Sequence, residues 1–138
     1  MMAAALAINE PAVVAELQQL LQDYERALMA NDLPALAAYF WDDEQVTRYG
    51  IADRQYGSAA LRAFRGATPT PAFTRTLHKP RINAFGPDFA TVQVEFLRSD
   101  TPLRGFQSQT WVRMADGWKI VAAHVSMIPD IGFEAAAE

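Results

Sequence analysis

The sequence predicts one α+β domain in which helices wall one side of a curved antiparallel sheet and enclose a small-molecule pocket. Three observations carry that reading. Apolar residues recur at helical spacing through the first part of the chain and not beyond Pro71. The remainder resolves into apolar and aromatic runs separated by turn residues, as an antiparallel meander requires. The 138 residues, 51% of them hydrophobic, match one domain with enough apolar surface to bury a core.

Asn9 is placed to cap the first helix, with Pro11 at its second position, where a missing amide hydrogen costs nothing. Val13, Leu17, Leu20, Tyr24 and Ala27 follow as its apolar stripe, and the helix is expected to stop near Asn31. Asp32 caps a short second helix, with Pro34 in its first turn and Leu33, Leu36 and Phe40 on its apolar side. Asp42, Asp43 and Glu44 form a polar turn before residues 46–51, a β-branched and aromatic run that reads as a strand. Gly57 and Ser58 start a third helix carrying Leu61, Phe64 and Arg65, and the run Thr68, Pro69, Thr70, Pro71 breaks the chain.

Strands are expected over 74–85, 89–98, 104–114 and 118–127. Pro80 cannot donate to a ladder, so the first of these should be irregular or lie at an edge. Asp116 and Gly117 join the last two as a tight hairpin. A twisted sheet curling round a long helix leaves a mouth at one end, where pockets form. The domain is set at residues 9–130, with flexible tails expected at 1–8 and 131–138, both rich in alanine. The first tail lacks the positive flank of a secretory signal and the length of a membrane span.

Composition narrows the function classes. A net charge of −4, with no lysine- or arginine-rich run, opposes binding to a phosphate backbone, so neither nucleic acid nor membrane is an expected partner. The absence of cysteine removes disulfides, thiolate catalysis and zinc–thiolate sites, and the compartment expected is the cytoplasm. His78 and His124 are the only histidines and do not stand at ligand spacing, so no metal site is expected. Nor is a cofactor, since there is no phosphate-cradling glycine loop, nucleophile elbow or dinucleotide fingerprint.

Several residues could carry chemistry. Tyr24 shares the buried stripe of the first helix, so its hydroxyl needs an interior partner. It is either a core tyrosine tied to a carbonyl, the commoner case, or a hydrogen-bond donor inside the pocket. Arg48, mid-strand, is either an outward surface arginine or an inward fork for a carboxylate, from Asp53 or from a substrate. Strict alternation in the last strand puts Trp118, Ile120, Ala122, His124 and Ser126 on one face, and a lone histidine there is more often a satisfied core residue than a catalyst. Gln107, Gln109, Trp111 and Arg113 share a face of the preceding strand, opposite Phe106, Ser108, Thr110 and Val112, and either face could supply hydrogen bonds to a ligand. Arg65, Arg75 and Arg81 add positive charge near the expected pocket, with Arg81 the best candidate for an ordinary surface residue.

Read together, Tyr24 to Leu28, Asn31-Asp32, Phe40-Trp41, Arg48 and Gly50, Tyr56-Gly57, Phe64-Arg65, Gln107 to Trp111, Gly117-Trp118 and Ala122 to Ser126 resemble the AtzH-like family over nearly the whole chain from Asn9 to Ile128. That family includes proteins associated with oxalurate catabolism and cyanuric acid breakdown. The resemblance implies the cystatin-like, or nuclear-transport-factor-2-like, cone and a homodimer packed through the sheet. It also implies decarboxylating hydrolysis of an N-carboxylated urea such as 1,3-dicarboxyurea, a small anionic carboxylate substrate. Tyr24 and Arg48 match the family's proposed active pair, and Arg65, Arg75, Gln109, Trp111 and His124 are the expected substrate contacts. The alternative is a non-catalytic small-anion binder or accessory protein of the same catabolism. The chain departs from the family pattern at Asp53, where a glutamate is usual, and at Gly105-Phe106, where a Gly-Arg pair is usual. A cation lost from the pocket or its rim at Phe106 would alter which anion fits.

Overall fold

The computed structural model describes residues 5–130, so the tail expected at 131–138 and the first residues of the one expected at 1–8 lie outside the described residues. Three helices, α1 (Pro11–Ala30), α2 (Leu33–Tyr39) and α3 (Ser58–Ala67), pack on a sheet of six strands. The strands are β1 (Thr47–Tyr49), β2 (Arg54–Tyr56), β3 (Arg75–Ala84), β4 (Phe89–Arg98), β5 (Leu103–Met114) and β6 (Gly117–Pro129), in the order β2-β1-β6-β5-β4-β3. The sheet is antiparallel except where β1 runs parallel to β6, with Arg48 beside Ala123 and Tyr49 beside His124. β2 was not expected, because three residues are too few to show a period.

The stripe Val13, Leu17, Leu21, Tyr24 and Ala27 is buried, with Leu20 packed at its margin. It meets Ala90, Val92 and Val94 of β4 and Trp111 of β5 in one core that also takes Leu36, Phe40, Leu61 and Ile120. Each fully buried leucine or isoleucine here stabilises the fold by about 1.5–3 kcal/mol relative to exposure. Leu33 is a correction: it is exposed, leaving Leu36 and Phe40 to anchor α2.

Asn9 does not cap α1. Glu10 holds that position without a side-chain bond and Pro11 begins the helix. Asn9 adopts φ 56° and joins α1 to β3 instead, its Oδ1 accepting from the Ala84 amide at 2.7 Å and its own amide donating to the Ala84 carbonyl at 2.8 Å. Just before it, Ile8 bridges Phe85. Asp32 caps α2 as expected, accepting from the Ala35 amide at 3.2 Å. Pro80 does mark an irregularity: β3 is an edge strand and its register shifts between His78 and Arg81, where Lys79 takes φ 50°.

A second irregularity decides which side chains reach the interior. Thr110 of β5 pairs with Ala122, but Trp111 pairs with Ile120, so Val121 is an extra residue in β6. The alternation therefore changes phase: Trp118 and Ile120 are buried before the bulge and Ala123 after it, while Ala122 and His124 are exposed.

Candidate functional site

One end of the sheet, under the C-terminal half of α1 and the loop after α3, holds a cavity of about 470 Å³. Each wall residue arrives by a rule already described. Tyr24 comes from the buried stripe of α1, and Arg48 from the inward position of β1 beside Ala123. Arg65 comes from the buried side of α3, Arg75 from the start of β3, Phe96 from β4 and Gln107 from β5. Val125 comes from β6 beyond the bulge, and the Thr68–Phe73 segment, expected only as a break, forms part of the rim.

Arg48, Arg65 and Arg75 differ in how their charge is used. Arg48 Nη1 donates to Asp53 Oδ1 at 2.8 Å and to Gln55 Oε1 at 2.9 Å, while its guanidinium lies 4.9 Å from the centre of the Phe64 ring. Gly50 makes room for that pair, because a Cβ there would overlap the Asp53 carboxylate. Burial, and then the neighbouring Arg65, lower the Arg48 guanidinium from its usual value, yet an arginine stays charged at any physiological pH. Arg75 Nε stands 3.0 Å from Glu25 Oε2 and Nη2 donates to Gln107 Oε1 at 3.1 Å. Its guanidinium stacks 3.9 Å from the centre of the Phe96 ring. The Glu25 contact is an ion pair without a well-aligned hydrogen bond, since both carboxylate oxygens and Arg75 Nε are buried with no such partner. Burial raises the Glu25 carboxyl, against the opposing pull of Arg75.

Arg65 has no carboxylate partner among the described residues. Only 8% exposed, it donates from Nη2 to Tyr24 Oη at 3.1 Å, and its Nε is buried without an acceptor. A buried guanidinium whose partners are a neutral hydroxyl and, 5.7 Å from its centre, the Phe64 ring is costly unless an anion arrives. Tyr24, accepting that bond, keeps its own hydroxyl hydrogen for another acceptor. The wall thus offers an uncommitted cation, a hydroxyl donor and two further arginines, Arg48 and Arg75, each held by an acid.

The structure brings together Tyr24, Arg48, Arg65 and Arg75 and excludes the other expected contacts. His124 is on the opposite, exposed face, its ring 5.6 Å from that of Tyr49, because the extra residue Val121 puts it out of phase with strict alternation. Gln109 and Trp111 are inward but lie further along β5, each inward step moving about 7 Å from the cavity. They meet in the core, Trp111 Nε1 donating to Gln109 Oε1 at 3.0 Å. Phe106 alternates away from Gly105 and Gln107, so the departure there falls on the outer face rather than in the cavity. Gln107, read from the sequence as sharing a face that could supply hydrogen bonds, was not carried among the expected contacts, and Phe96 and Arg98 of the lining were not singled out. Gly105, two residues before Gln107, was the signal, since a glycine inside a strand marks a close approach. A Cβ at Gly105 would indeed overlap the Phe96 ring.

Among the described residues no cluster of three or more histidine or acidic side chains could hold a metal ion, and no helix is long and apolar enough to cross a membrane.

A family model described as AtzH-like matches residues 6–131. A cystatin-like fold protein from Burkholderia xenovorans is 48% identical, with a TM-score of 0.87 over 90% of this chain and 98% of its own. A protein of unknown function from Pectobacterium atrosepticum is 41% identical, with a TM-score of 0.85 over 88% of this chain and 94% of its own. An NTF2-like protein of unknown function from Pseudomonas putida, 20% identical with a TM-score of 0.72 over 88% of this chain and 91% of its own, shares the fold. None of the curated proteins matches.

Proposed function

Because the chain belongs to the AtzH-like family, we propose that the cavity binds a small N-carboxylated urea, of the 1,3-dicarboxyurea type, and catalyses its decarboxylating breakdown. The observation that carries this reading is Arg65, a buried guanidinium without a carboxylate partner, bonded to the hydroxyl of Tyr24. A substrate carboxylate supplies the missing charge. The grip expected of Arg48 passes mainly to Arg65, because Arg48 Nη1 already serves Asp53 and Gln55.

In the reaction the bond between the urea nitrogen and its carboxylate carbon breaks. Its electron pair stays on nitrogen, the hydroxyl hydrogen of Tyr24 moves to that nitrogen as a proton, and carbon dioxide leaves. Arg65 stabilises the tyrosyl oxygen until water at the mouth returns the proton. No side chain needs to act as a base, and Asp53, whose Oδ1 accepts from both Arg48 and Gln55, is not poised as one.

The test is carbon dioxide release from freshly generated N-carboxylated ureas, measured against the spontaneous rate. Wild type should accelerate it, Tyr24→Phe should lose about 10² to 10⁴ of the rate while retaining affinity, and Arg48→Ala and Arg65→Ala should lose affinity. Absence of acceleration by the wild type would remove the catalytic reading, and binding without turnover would make the chain a small-anion binder.

A further inference from the structure

Gln107 is 3% exposed, forms part of the cavity wall, and has one hydrogen-bonding half in use and one not. Its Oε1 accepts from Arg75 Nη2 at 3.1 Å, while Nε2 is buried with no acceptor. An arginine can only donate, so this contact fixes the orientation of the amide and makes the idle half a donor. Arg75 is itself held on three sides: by Glu25 at 3.0 Å, by Gln107 and by the Phe96 ring at 3.9 Å. Phe96 lies there because Gly105 has no side chain to displace it. Arg75 therefore has its charge matched inside the protein, unlike Arg65, and its position dictates what Gln107 presents.

We propose that Gln107 is a specificity-determining residue that donates from Nε2 to a neutral carbonyl oxygen of the ligand, whose carboxylate lies on Arg65, and that Arg75 is the positioning residue that turns the amide that way. The ligand class is a short acid bearing a urea or amide carbonyl, rather than any small carboxylate. This rests on the anion-binding part of the function proposed above, not on turnover.

The probes are ureidoacetate and pentanoate, chains of equal length of which only the first has the internal carbonyl, titrated calorimetrically into the full chain. Wild type should prefer ureidoacetate by roughly tenfold, the worth of one buried neutral hydrogen bond. Gln107→Leu should abolish the preference while holding pentanoate affinity within about twofold, which also shows that the variant is folded. Arg75→Lys, which keeps a donor on Oε1, should retain the preference, and the double variant Glu25→Gln/Arg75→Met, which frees the amide to turn, should lose most of it. A preference unchanged in Gln107→Leu, no preference in the wild type, or no binding of either acid overturns the assignment. Gln107-dependent preference without carbon dioxide release would sink the catalytic reading alone, whereas turnover without that preference would sink only this one.

Discussion

Arg65 joins stability and binding in one side chain, and the two should separate on mutation. Replacing a buried charge that lacks an internal counter-ion by an apolar group of similar length relieves desolvation, so Arg65→Met is expected to raise stability by about 1 kcal/mol. The same change should remove carboxylate binding. Thermal melts with and without ureidoacetate check both: the ligand should raise the wild-type Tm and leave that of the variant unmoved. A lower Tm in the variant without ligand would make Arg65 a structural residue. At this scale the sequence was partly legible. Tyr24 sits on a helical stripe that can be read directly, whereas the inward turn of Arg48 depends on its partner strand, which β1 alone does not encode.

Elements were legible where a period ran long enough. α1 and the four long strands are close to their expected bounds, but β2 and the link from Asn9 to β3 come from tertiary pairing that no local pattern announces. α1 is fastened to the far end of the hairpin by Glu16, which accepts from Arg113 Nη1 and Trp118 Nε1, each at 2.9 Å. Those bonds lower its carboxyl from the usual glutamate value. Their contribution is therefore present above the ordinary glutamate range and disappears as pH falls through the lowered value. Because the carboxylate is partly exposed, Glu16→Gln should cost only about 0.5–1 kcal/mol at neutral pH, and urea melts repeated at successively lower pH should show the difference shrinking as the carboxylate takes up its proton. In β5, Gly105→Ala should cost about 1–3 kcal/mol, because the added methyl drives Phe96 from its place. If urea denaturation shows no loss, Phe96 has room to move and does not hold Arg75 in place.

The whole molecule divides between two faces of one sheet, the inner one carrying the cavity and the outer one exposing Tyr49, Tyr56, Phe89 and Ile128 with His124 among them. A second copy packed there is the expectation for this face. Sedimentation should give twice the chain mass, and Ser108→Arg, at an exposed position on β5, should return it to the monomer with its circular dichroism unchanged. A wild type that sediments as a monomer would end that expectation. Fold class was legible at this scale because no helical pattern returns after α3 and four long strands follow it, but the faces of β6 were not, because one unpaired residue resets them. That residue gives the strand slack. With Val121 in reserve, β6 can lose one residue between 121 and 123 by flattening and still set Val125 against the cavity. β4, which runs beside β5 in unbroken register, has no such spare length. Relatives that differ in length by a single residue can keep the same site if the change falls in β6, and a like change in β4 would turn the strand inside out.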